Sequence, residues 1–242
     1  MLKSTSRALY ALLIAVSLGF TLNLTGEQKN NSEIWEIFKA SSKYKLMLNL
    51  SGPVHVLIER TDKSTAMWYF DESGRLEKMH FLSEGVDFYE EYLATNETET
   101  IRTYWKQNDK YFLSDEASFY VQKNKRDREI LWTLKKIINT GEYWETREYN
   151  LNLSDFSFVV SQETGFRKRV EKSYYSAQGI KLNSIRSEIV SGENRKEKIL
   201  EESKFTYLAF DEHGNWIKAI KTRISSSGSE KKDTIYREIN YY

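Results

Sequence analysis

One phrase occurs near both ends of this chain, as Trp68-Tyr-Phe-Asp-Glu-Ser-Gly-Arg-Leu76 and as Tyr207-Leu-Ala-Phe-Asp-Glu-His-Gly-Asn-Trp-Ile217. A looser copy, Tyr174-Tyr-Ser-Ala-Gln-Gly179-Ile-Lys-Leu182, lies between them. In each, an aromatic strand end runs into a short polar turn and a second strand follows. An Asp carboxylate can accept from backbone amides one or two residues on, and Gly takes the left-handed conformation that reverses the chain. Asp71, Gly74, Gly179, Asp211 and Gly214 are therefore assigned as structural turn residues. A chain punctuated in this way is built from hairpins.

Composition agrees with that class. Of 242 residues, 14% are aromatic, with 16 Tyr, 12 Phe and 6 Trp against a single Pro, which favours strands packing ring faces across a sheet. Short alternating segments recur at Val54–Arg60, Val86–Leu93, Glu99–Lys106 and Lys110–Leu113, then at Phe156–Gln162, Lys181–Val190, Lys198–Phe210, Asn215–Ser225 and Thr234–Tyr242. Tyr44–Leu50 is also expected to be a strand, ahead of the turn Ser51-Gly-Pro53. Two helices are expected to interrupt the series. One is short and N-terminal, over Asn31–Ser42, with Ile34, Ile37 and Phe38 on one face. The other lies near 127–139, where Ile130, Leu131, Leu134, Ile137 and Ile138 share a face and Gly141 follows. The expected fold is thus mainly β, an antiparallel meander of hairpins forming a curved sheet or half-barrel, with these two helices.

The first residues bear on destination. Lys3 and Arg7 precede an apolar run from Ala8 to Leu24, and the chain turns polar at Gly26-Glu-Gln-Lys. That is the form of a secretory signal, or of an N-terminal membrane anchor with its basic end in the cytoplasm. Residues 1–26 are assigned to this segment and 27–242 to a single β-rich domain. There is no Cys, so neither disulfides nor a lipoprotein anchor is available. The expected location is the periplasm or cell surface of a bacterium, with inner-membrane anchoring as the alternative.

Phe70-Asp-Glu-Ser-Gly-Arg-Leu76 and Phe210-Asp-Glu-His-Gly-Asn-Trp-Ile-Lys218 resemble the phrase of YD (Rhs-type) repeats, an aromatic residue, then Asp-X-X-Gly, then a hydrophobic residue. The resemblance covers three short phrases, with Phe in place of Tyr. It implies a β-meander of an exported bacterial protein and carries over no catalytic residues.

No chemistry-bearing constellation stands out. His55, His80 and His213 fall on separate hairpins without metal-ligand spacing, and there is neither a Gly-X-Ser-X-Gly elbow nor a glycine loop for phosphates. The acid pairs Asp71-Glu72 and Asp211-Glu212 are explained by their turns, which leaves a glycan-active enzyme the less favoured class. No cofactor or metal is expected. The formal net charge of +1 argues for no nucleic-acid partner. Its distribution is uneven: residues 71–100 hold nine acidic and two basic side chains, and 161–200 hold nine basic and five acidic. The favoured function is a non-enzymatic envelope or surface module, binding or structural, whose partner is an envelope protein, glycan or lipid. The alternative is a periplasmic carrier with an apolar ligand under a helical lid, the lid facing inward through Ile130, Trp132, Leu134 and Ile138. Membrane contact is expected only through an uncleaved N-terminal segment.

Overall fold

A computed structural model describes residues 42–126, 129–136, 145–165, 167–176, 180–190 and 197–242. They form one short helix, α1 (Lys43–Leu48), and fourteen strands: β1 (Val54–Arg60), β2 (Ser64–Phe70), β3 (Leu76–Ser83), β4 (Val86–Ala94), β5 (Thr98–Gln107), β6 (Lys110–Arg126), β7 (Glu129–Lys136), β8 (Glu145–Asn152), β9 (Ser157–Thr164), β10 (Arg167–Tyr175), β11 (Lys181–Val190), β12 (Glu197–Phe210), β13 (Trp216–Ser225) and β14 (Glu230–Tyr241). Each strand pairs antiparallel with its neighbours in sequence, and β1 pairs with β14. The sheet is a closed barrel, not the curved sheet or half-barrel expected from the sequence. Closure depends on a contact between the two ends of the meander, Leu57 beside Ile239 and Glu59 beside Arg237, which no local pattern announces.

Two further expectations are corrected. Tyr44–Leu50 is not a strand: Ser42 Oγ accepts from Lys45 N and caps the start of α1, while Asn49, in the left-handed conformation, stops it. The helix expected near 127–139 is a strand where the structure describes it. Ile130, Leu131 and Leu134 fit a helical face, but Ile130, Trp132 and Leu134 also recur every second residue, and pairing with both β6 and β8 decides for the extended form. Ile138, Gly179 and the N-terminal helix expected over 31–42, save Ser42, lie outside the described residues.

The two clear copies of the repeated phrase form the same turn. Asp71 Oδ1 accepts from Arg75 N and from Ser73 Oγ, and Asp211 Oδ1 accepts from His213 N and Asn215 N. Gly74 and Gly214 both have φ of 78°. Both turns sit at the end of the barrel where β1 begins. The same end holds α1.

The placement of α1 follows from the size of the ring. With strands ~4.8 Å apart and tilted by ~40°, fourteen of them make a circle about 28 Å across, too wide for side chains alone to fill. α1 supplies the missing volume. Tyr44 packs edge-on against Tyr92 of β4 and Tyr149 of β8, Leu46 joins Phe119, Leu134 and Phe158 in one core cluster, and the Tyr175 hydroxyl of β10 donates to the Leu46 carbonyl. Contacts to strands on opposite sides of the ring put α1 inside it. Lys43 is carried into this core by Glu99, at 2.6 Å, and Tyr44 donates to the same carboxylate. Burial holds the Lys43 ammonium below its ordinary pKa, against the opposing pull of Glu99.

Candidate binding cup in the barrel lumen

Alternation along each strand assigns every residue to the lumen or the outer face, with the core residues fixing the sense. On β8, Arg147, Tyr149 and Leu151 point inward and Thr146, Glu148, Asn150 and Asn152 outward. On β14, Ile235, Arg237 and Ile239 point inward, and Lys232, Thr234, Tyr236 and Glu238 outward. On β5 the outward set is Thr98, Thr100, Arg102, Tyr104 and Lys106. Outward ion pairs Arg102–Glu116 and Lys168–Glu148 lie across the sheet. A barrel that crosses a bilayer presents an apolar band about 25 Å tall, and each Lys or Arg at its midplane costs ~2–4 kcal/mol. The outer faces of β5, β8 and β14 carry charge at mid-height, where such a band is apolar.

The lumen is not uniform along its length. At the end closed by α1 it is a dry core of Leu57, Phe70, Phe119, Leu134, Leu151 and Phe158. Toward the other end the same inward faces lose their cover. Phe81, Phe88, Trp105 and Phe112 stand on adjacent strands β3, β4, β5 and β6 as successive register partners. Phe88 stacks on Trp105 with centroids 5.0 Å apart, and Phe81 lies 5.6 Å from Phe88. Trp105 is 41% exposed and Phe112 53%. An aromatic ladder inside a barrel, left open to solvent, is an unfilled apolar surface. Among the described residues nothing covers it.

Across the ring the chemistry inverts. β11 is seven places from β4 in a circle of fourteen. The inward faces of β10 to β14 there carry charge. Glu171 is held between Lys181 and Arg186, each at 3.4 Å, Arg223 pairs with Asp233, and Arg237 pairs with Glu59 at 3.0 Å with its Cζ 3.4 Å over the centre of the Trp216 ring. Burial raises the Glu171 carboxyl, and the surrounding Lys181, Arg186 and Lys221 outweigh it, so that it sits below the usual carboxylate range. Burial lowers the ammonium groups of Lys181 and Lys221. Nearer the mouth, Arg167 and Arg169 line a small concavity with Gln162 and Thr164. The open half of the lumen is thus a cup with one aromatic wall and one charged wall.

The residues singled out from the sequence lie elsewhere. Ile130, Trp132 and Leu134 are buried in β7 beneath α1, at the closed end. Asp71 and Asp211 are engaged in their turns, where Asp211 also accepts from the Tyr241 hydroxyl. Of the histidines, His80 faces outward and shares Asp87 with Tyr111 and Lys106, His55 stacks on Tyr242, and His213 packs on Tyr241. No group of three or more metal-ligating side chains converges among the described residues. The ladder escaped sequence reasoning because β4 carries rings on both faces, Phe88 inward and Tyr89 outward, so alternation alone names neither as the inner one. The charged wall had a visible trace. Five of the nine basic side chains counted in residues 161–200, Arg167, Arg169, Lys181, Arg186 and Lys198, fall on inward positions.

No protein-family profile matches the chain, and no curated protein matches it. Among solved structures, a porin-like protein from Bacteroides uniformis is similar, with a TM-score of 0.45 and 11% identity over 78% of this chain and 96% of that one. A likeness of that size carries no weight for function.

Proposed function

We propose that this chain is an exported, non-enzymatic barrel of the bacterial envelope that stands in water and binds an amphipathic ligand in its open end. The ligand's apolar part rests on Phe81, Phe88, Trp105 and Phe112, and its polar part faces the charged wall of β10 to β14. The observation that carries this reading is the exposed ladder on the inner face of a barrel whose outer face is polar. Apolar surface placed inside, where it cannot serve a bilayer, serves a ligand. Export is supported by Lys3 and Arg7 ahead of the apolar run Ala8–Leu24. The kinship with YD-repeat proteins belongs to the same proposal, supported by the common geometry of the Phe70–Gly74 and Phe210–Gly214 turns. Where the alternative reading of the sequence placed a helical lid over an apolar ligand, the cup proposed here is formed by strand faces, and the helix α1 seals the opposite end.

Native mass spectrometry of the protein released from its own envelope fraction without detergent tests this. The expected spectrum is a monomer carrying one amphiphile, and its loss in the Trp105→Ala/Phe112→Ala double variant places that ligand on the ladder. A bare monomer that takes up no added alkyl amphiphile would overturn the reading.

A further inference from the structure

The charged wall is not balanced. Six inward cations on β11, β13 and β14, namely Lys181, Arg186, Lys221, Arg223, Lys231 and Arg237, face five carboxylates, Glu59, Glu171, Glu188, Glu201 and Asp233. Four of those carboxylates are taken: Arg237 holds Glu59, Arg223 and Lys231 hold Asp233, Lys181 with Arg186 share Glu171, and Arg169 of β10 pairs with Glu188. Glu201 accepts from Ser203 Oγ. Lys221 has no carboxylate within ion-pair distance among the described residues, although it stands inside the wall between Phe205 and Asp233 in register.

A second, independent observation points the same way. Two guanidinium nitrogens on this wall, Arg223 Nε and Arg237 Nη1, are buried without a hydrogen-bond partner. The Arg237 side chain is only 4% exposed and its charge reaches Lys181. A buried donor left unmade costs ~1–3 kcal/mol, more when charged, so leaving two in one wall calls for an acceptor that arrives from outside. Lys221 is not a freely hydrated surface ammonium either, since burial lowers its pKa. From this site Arg169, paired with Glu188, and then Arg167 lead to the mouth.

We propose that the wall of β11, β13 and β14 is a phosphoryl-binding site, with Lys221 at its centre and Lys181, Arg186 and Arg223 around it. The chemistry favours a phosphate over a carboxylate. The cations come from separate strands and approach from several directions, which suits three charged oxygens better than the planar two of a carboxylate. The phosphoryl group is either the head of an amphiphile or a free phosphate. This inference rests on the reading of the open lumen as a ligand cup, and the test below keeps the two separable.

The full mature chain is titrated in detergent-free buffer at constant ionic strength with inorganic phosphate, dodecyl phosphate, laurate and dodecyl maltoside, following thermal unfolding and calorimetry. Inorganic phosphate is expected to raise the unfolding temperature saturably where chloride does not. Dodecyl phosphate is expected to bind at least about tenfold more tightly than laurate, the worth of one charge-assisted hydrogen bond. If dodecyl phosphate also binds more tightly than inorganic phosphate, the site takes a lipid-like head; if the two are equal, it takes free phosphate. Lys221→Met is expected to abolish the phosphate response while leaving dodecyl maltoside binding intact. Because it removes an unpaired half-buried cation, it is also expected to raise the unfolding temperature of the ligand-free protein, which a structural lysine would not do. Arg223→Met provides the same readout should Lys221→Met fail to fold. A phosphate shift no larger than that of chloride, or laurate binding as tightly as dodecyl phosphate, would overturn the phosphoryl site. Failure of dodecyl maltoside alone would count against the cup and leave the phosphate result standing.

Discussion

The turn at Asp71 shows how much one side chain settles. Burial pushes its carboxyl up, but hydrogen bonds from Ser73 and Arg75 and the charge of Arg75 outweigh that, and its pKa lies below the usual carboxylate value. A carboxylate with a depressed folded pKa stabilises the fold above its unfolded pKa, and that stability is lost as pH falls through the folded value. Asp71→Asn is therefore expected to flatten the acid limb of a stability profile below about pH 4, the ordinary Asp value. Asp71→Ala, which removes the acceptor altogether, is expected to cost about 1–2 kcal/mol at neutral pH, read by denaturant unfolding. Gly74 is constrained twice: its φ is 78°, and a Cβ there would lie 2.7 Å from Lys45 Nζ. Gly74→Ala is expected to destabilise more than Gly214→Ala, which shares the φ but has open space around it. Both turns were legible in the sequence because the bonds to Asp71 Oδ1 and Asp211 Oδ1 that shape them are local, each spanning five residues or fewer.

At the scale of elements, legibility fell where a segment's partner is distant. β7 and α1 were read in each other's form. Ile130 and Leu134 fit either period while Trp132 fits only the strand, and the strand wins because β6 and β8 supply hydrogen bonds on both sides. Tyr44, Leu46 and Leu48 alternate like a strand, yet Ser42 and Asn49 cap a single helical turn and a half, and the wide lumen rewards a plug more than another strand. What anchors that plug is the buried pair Lys43–Glu99, 56 residues apart in sequence. Breaking one side of a buried pair leaves an uncompensated charge and costs ~3–5 kcal/mol, whereas replacing both sides with uncharged groups costs far less. Glu99→Gln alone is thus expected to destabilise strongly, and Lys43→Met/Glu99→Gln to recover most of the loss. A double-mutant cycle measures this, and additive losses would mean that the two side chains do not act as a pair.

Over the whole molecule, closure and the polarity of the two faces decide what the barrel is for. Hairpin rhythm revealed the meander, but the pairing of β1 with β14 is a relation between residues about 180 positions apart, as with Glu59 and Arg237, linked through both Arg237 Nε and Nη2. Inner and outer faces became distinguishable only once closure was known, because β4, β10 and β14 carry charge or rings on both sides. A water-facing exterior predicts a monomer in detergent-free buffer that does not partition into vesicles, checked by sedimentation with and without liposomes. The central claim concerns the other face. Titrating the protein with an amphiphile whose chain is brominated, below its micellar concentration, places a quencher wherever the tail binds. The account predicts saturable quenching of tryptophan fluorescence that disappears in Trp105→Leu. Quenching that is absent, or unchanged in that variant, would contradict it.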